Sequence, residues 1–136
     1  MSGEGGARGM TWREERLWAE VRALGYPYDD FTALDQCGDA LGERVLLAIL
    51  KWACYGQNVQ GIEMGRGKLA EAPRAWLAAH IAGTVRRGFE YRDDWNFRRL
   101  LEAAERTVPE VLGELLALNE GSGDPDILDV LGDYLG

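Results

Sequence analysis

Apolar residues recur along this chain at helical spacing, and the segments that carry them are separated by short Gly, Pro, Asp or Asn connections. Leu17, Val21 and Leu24 lie on one stripe with Trp18 beside them. Thr11-Trp12-Arg13-Glu14 precedes the stripe as a capping box, and Gly25 follows as a stop. The pattern predicts a helix over 11–24. Tyr26-Pro27-Tyr28-Asp29-Asp30 reads as a turn, because Pro27 restricts itself and Tyr26. Phe31 to Cys37 has room for a short helical turn.

The run Val45-Leu46-Leu47-Ala48-Ile49-Leu50 is apolar on every face. A helix of that kind is buried. Asp39 is the expected cap, and Gly56 the expected stop. Leu46, Leu47, Ile49 and Leu50 are the predicted centre of the core. Asn58 then caps a helix carrying Val59, Ile62 and Leu69, which stops before Pro73. Gly61 and Gly65 are four apart and share a face, as expected where a neighbouring helix comes close. Trp76, Leu77, His80, Ile81, Thr84 and Val85 form the apolar side of the next helix, which starts after Pro73 and ends at Gly88. Asp93 or Asp94 opens another, with Trp95, Phe97, Leu100, Leu101 and Ala104 inward. Thr107-Val108-Pro109-Glu110 fits a second capping box before Val111, Leu112, Leu115, Leu116 and Leu118. After Gly121-Ser122-Gly123, Asp124-Pro125 opens a last helix with Ile127, Leu128, Leu131, Tyr134 and Leu135 at its apolar positions. The expected fold is all-α, with six to seven helices. Residues 1–10 are expected to be a flexible tail, and residues 11–136 a single domain.

Composition agrees with one soluble domain. The 136 residues are 46% hydrophobic and 28% charged. The longest apolar run is too short to span a membrane, and the first residues lack the apolar stretch of a secretory signal. With two cysteines, Cys37 and Cys54, the expectation is a reduced, cytoplasmic protein without a disulfide framework.

Charge is distributed unevenly. The total is −8. Residues 1–43 hold four Arg against nine acids, and residues 44–106 hold eleven Lys or Arg against seven. Residues 107–136 hold seven acids and no base. The acidic total disfavours nucleic acid, because phosphates are repelled. Arg86, Arg87, Arg92, Arg98 and Arg99 form one local basic cluster, interleaved with Tyr91, Trp95 and Phe97. Glu90, Asp93 and Asp94 are on hand to pair with it, and the alternative is an anion or RNA docking site.

Catalytic and metal chemistry find little to stand on. His80 is the single histidine and lies on an apolar helix side, where a hydrogen-bonded boundary position is the expected role. One His and two Cys do not make a zinc set. The stretch from Gly61 to Lys68 fails the phosphate-loop spacing, since Ile62 stands at the first Gly position and Leu69 at the Ser/Thr position. No metal and no cofactor is expected, and no enzymatic activity.

Asp94-Trp95-Asn96-Phe97-Arg98-Arg99-Leu100-Leu101-Glu102, Val108-Pro109-Glu110-Val111-Leu112, Asn119, Ser122 and Asp124-Pro125-Asp126-Ile127 together resemble a HEAT-like helical repeat. In such a repeat, two antiparallel helices lead into an Asp-Pro-Asp turn that opens the next unit. Segments 42–56 and 58–71 look like an earlier unit. The resemblance covers about residues 42–136 and extends to small bacterial helical proteins, including toxin-neutralising immunity proteins. It implies antiparallel pairs stacked as a short right-handed superhelix, and a protein-binding role.

The acidic end offers the partner surface. Glu114, Glu120, Asp126, Asp129 and Asp133 are the candidate contacts for a basic protein partner, with Trp95 as a candidate aromatic anchor. The alternative is a homo-oligomeric structural or regulatory protein whose spare apolar surface is buried between copies.

Overall fold

A computed structural model describes residues 10–56 and 58–135, so the expected N-terminal tail lies, apart from Met10, outside the described residues. Among the described residues, seven α-helices and two short 3₁₀ segments follow one another, and there is no strand. The α-helices are α1 (Trp12–Leu24), α2 (Asp39–Cys54), α3 (Val59–Glu71), α4 (Arg74–Gly88), α5 (Asp94–Thr107), α6 (Leu112–Ala117) and α7 (Pro125–Leu135). The 3₁₀ segments are Phe31–Gln36 and Pro109–Val111.

Local chemistry sets most of the boundaries. Thr11 Oγ1 accepts from the Glu14 backbone N–H at 3.2 Å, and Glu14 Oε1 accepts from the Thr11 N–H at 3.4 Å. This is the expected capping box, and Gly25 ends α1 in the left-handed conformation at φ 102°. Asn58 caps α3 through Gly61 at 3.0 Å, and Asp93 caps α5 through Asn96 at 2.9 Å. Asp124 Oδ1 accepts from the Asp126 N–H at 2.9 Å at the start of α7.

Two expected caps are different in the structure. Gly38, not Asp39, occupies the cap position of α2, and it brings no side chain to the task. Asp39 is the first helical residue, and its carboxylate accepts from the Trp76 indole instead. Thr107 does not cap the segment at 109–111 either. Val108 stands at that position, and Glu110 is drawn away to Arg74. In both places a partner from another helix wins over a local one.

Helix α2 is the axis of the molecule. It packs against α1, α3, α4 and α5 and against the first 3₁₀ segment. Val45, Leu46, Ile49, Leu50, Ala53 and Cys54 are buried on it. Leu47 is only half-buried. The α2–α3 pair is the most extensive contact, and at Gly65 the two backbones come close together. A methyl group there would lie 2.5 Å from the Ala53 backbone nitrogen. Gly61, expected to serve the same purpose, faces the Arg13 and Trp52 side chains at ordinary contact distance.

Trp18 stacks on Phe31 with centroids 4.6 Å apart, and Tyr26 on Phe31 at 5.5 Å, closing the core at the α1 side. The loop between them is tied down by Arg22, which donates to the carbonyls of Tyr26 and Tyr28. At the other end α7 packs on α5 through Ile127, Val130 and Leu131. Leu128 and Leu135, expected on the inner side of α7, point outward at 49% and 70% exposure. No helix among the described residues is long and apolar enough to cross a membrane.

Candidate functional site

Three groupings of side chains bear on function. The first is at the acidic end. Gly113, Leu116, Ala117, Glu120, Gly121, Leu131 and Leu135 line a groove of about 370 Å³ between α6 and α7. Its floor is aliphatic, and small residues on its α6 side keep it open. Glu120 stands at its rim. Glu114, Asp126 and Asp129 are exposed on the same two helices.

Two of the seven C-terminal acids have found bases elsewhere in the chain. Arg74 Nη2 and Nε reach Glu110 Oε1 and Oε2 at 2.7 and 3.0 Å. This paired hydrogen bonding holds the Glu110 carboxyl below its ordinary value. Arg98 Nη1 meets Asp133 Oδ2 at 2.7 Å. Asp133 therefore ties α7 to α5 and is less available to a partner than Glu114, Glu120, Asp126 and Asp129. Trp95 is 42% exposed, with the Arg99 guanidinium 4.5 Å from its ring centroid. It lies at the start of α5, one turn before Arg98, and does not line the groove. Of the candidate contacts, Glu120 alone lines the groove directly, among apolar positions that the charge pattern did not single out.

The second grouping surrounds His80. Its Nδ1 is 2.7 Å from Glu43 Oε2, and its Nε2 is 3.6 Å from Asp39 Oδ1. Arg87 pairs with the other oxygen of Glu43. The Trp76 ring stacks on the imidazole at 4.4 Å, while its Nε1–H donates to Asp39. Both ring nitrogens of His80 thus face carboxylates of α2, which is the arrangement of a clasp between α2 and α4. The boundary histidine expected from the sequence is found, with partners that sequence spacing could not name. No group of three or more His, Cys, Asp or Glu residues is placed to hold a metal ion among the described residues.

The third grouping is basic. Arg87 and Arg98 are engaged with Glu43 and Asp133, and the guanidiniums of Arg92 and Arg99 lie over the rings of Tyr91 and Trp95. The expected pairing with Glu90, Asp93 and Asp94 is replaced by more distant carboxylates and by local aromatic rings.

The cysteines are free. Burial pushes the Cys54 thiol up to about 12, so it behaves as a small apolar group. Burial first, and then Asp35 and Asp39, raise the Cys37 thiol, while its backbone hydrogen bond opposes them. Asn119 is buried, and its Nδ2 donates to the Tyr91 carbonyl at 2.7 Å, joining the end of α6 to the turn before α5.

Compared with family models, with curated proteins and with solved structures, the chain matches none.

Proposed function

We propose that this protein is a non-enzymatic protein-binding module whose α6–α7 groove receives a basic amphipathic helix of a partner protein. One observation carries the reading. An aliphatic groove with an exposed leucine at its edge lies in a segment of seven carboxylates and no base. A partner helix with apolar residues at i, i+3 and i+4 would place them on Leu116, Leu131 and Leu135. Its Lys or Arg residues would meet Glu120 at the groove and Glu114 of α6, while Asp126 and Asp129, on the other side of α7 from Leu131 and Leu135, would add to the field that speeds encounter. Neutralising or scaffolding such a partner is the role this implies.

The HEAT-like superhelix belongs to the same reading. It is supported by the extensive α2–α3 packing, whereas the contacts of α2 with α1, α4 and α5 speak for a more centred bundle. A cytoplasmic location also belongs to it, supported by two free thiols. The competing homo-oligomer would use the same leucines, but it would bring two sets of carboxylates together.

Calorimetry with a synthetic Lys/Leu amphipathic helix tests the reading. Binding is expected to weaken from about 0.05 M to about 0.3 M salt, as screening shortens the reach of exposed charges. Glu114→Gln, Glu120→Gln, Asp126→Asn and Asp129→Asn combined should weaken it about tenfold or more. Leu135→Ser should weaken it while leaving circular dichroism unchanged. Equal affinity for all of these proteins would overturn the reading. A concentration-dependent dimer that Leu135→Ser dissolves would put the homo-oligomer in its place.

A further inference from the structure

A second cleft, of about 520 Å³ and sharing no residue with the groove, is framed by Trp12, Arg13 and Glu20 of α1, the last turn of α2 and the first turn of α3. Trp12, Trp52 and Ile62 give it apolar surface, and Arg13, Lys51 and Glu20 give it charge. Trp12 is 56% exposed. Burial of the core does not account for a tryptophan in that position.

The charged groups are not matched to one another. Glu20 Oε1 accepts from the Trp52 indole N–H at 3.3 Å. Arg13 donates to the neutral amide of Gln60 at 3.1 Å, and its guanidinium lies 4.4 Å from the Trp12 ring centroid. Lys51 lies 5.9 Å from the Tyr55 ring centroid. The carboxyl end of α2 and the amino end of α3 meet here, so their dipoles offset and the side chains decide the sign. Two cations face one carboxylate in a protein whose total charge is −8. The cleft is thus a local basic and aromatic site on an acidic surface.

We propose that this cleft binds a small aromatic carboxylate. Its ring would lie against Trp52, Ile62 and the exposed part of Trp12, and its carboxylate would meet Arg13 and Lys51. Guanidinium and carboxylate match in shape and charge. The volume is within the range of small-molecule sites. Glu20 is held by Trp52, which leaves the Arg13 and Lys51 side to the anion.

The probe is 2-naphthoate, with 2-naphthylmethanol as the neutral analogue. The indole N–H signals of Trp12 and Trp52 are followed by NMR in the whole chain. Naphthoate is expected to shift both signals along one saturating curve, with the Trp18 and Trp76 signals unmoved. The alcohol should bind about tenfold or more weakly, the scale of one charge-assisted hydrogen bond. In the double variant Arg13→Gln, Lys51→Gln, the two compounds should bind alike. Trp12→Ala alters an exposed helix-start residue and should weaken naphthoate without unfolding the chain. The proposal is overturned if naphthoate does not saturate, if acid and alcohol bind equally to the unaltered protein, or if Trp12→Ala leaves affinity unchanged.

Discussion

A single missing methyl group decides how closely α2 and α3 approach at Gly65. Alanine there would press on the Ala53 and Trp52 backbone, which has no rotamer to yield. Gly65→Ala should destabilise by about 1–3 kcal/mol through overpacking. Gly67 is two positions away, and a methyl group there meets nothing within 4 Å. Gly67→Ala should therefore stabilise by about 0.5–1 kcal/mol, the helix-interior cost of glycine. Urea unfolding of both variants checks the pair, and equal effects would mean that the α2–α3 approach is looser than described. Spacing alone gave Gly61 and Gly65 the same role, because it records a shared face and not what stands opposite.

Buried titratable groups give a second residue-scale prediction. The Cys54 thiol is raised from 9.0 to about 12 by burial, and burial also raises Tyr26. In the unfolded chain these groups ionise at their ordinary, lower values. The stability that rests on their neutral forms is complete below pH 9 and falls as pH rises toward 12 for Cys54. The melting temperature should drop as pH rises from 9 toward 12, and Cys54→Ala should lessen the drop. A melting temperature that rises over that interval would contradict the burial of both groups.

Among the elements, three α-helix starts were legible because the capping partner lies within three residues, whereas Asp30, which caps the first 3₁₀ segment through Thr32, read only as part of a turn. Thr11, Asn58 and Asp93 behave as their local sequence implies. Thr11→Ala should cost about 0.5–2 kcal/mol, while Thr107→Ala should cost less, because Thr107 caps nothing. Comparable losses in thermal unfolding would restore the second capping box. Helix α7 shows where periodicity ran out. Its positions 127, 128, 131, 134 and 135 are too wide a stripe for one neighbour to cover. Packing on α5 selects Ile127, Val130 and Leu131 and leaves Leu128 and Leu135 outside. The surplus width was readable in the sequence. Which leucines would be left over depended on the angle between α5 and α7.

Across the whole molecule, charge was legible as a total and a trend but not as pairs. Arg74–Glu110, Arg98–Asp133 and Glu43 with His80 and Arg87 each join helices that are far apart in sequence. These bridges take up part of the acidic end and of the basic cluster. Glu120 lines an apolar groove, and Glu114, Asp126 and Asp129 are exposed on the two helices that form it. Acidity alone would serve solubility, whereas the proposed binding role rests on the aliphatic groove that Glu120 lines. The measurement that tests this most directly is an NMR titration of the whole chain with the basic amphipathic helix. The account predicts that the methyl signals of Leu116, Leu131 and Leu135 shift first and most, and that the Trp12 and Trp52 signals stay in place. Shifts centred away from α6 and α7, or none at saturating peptide, would contradict it.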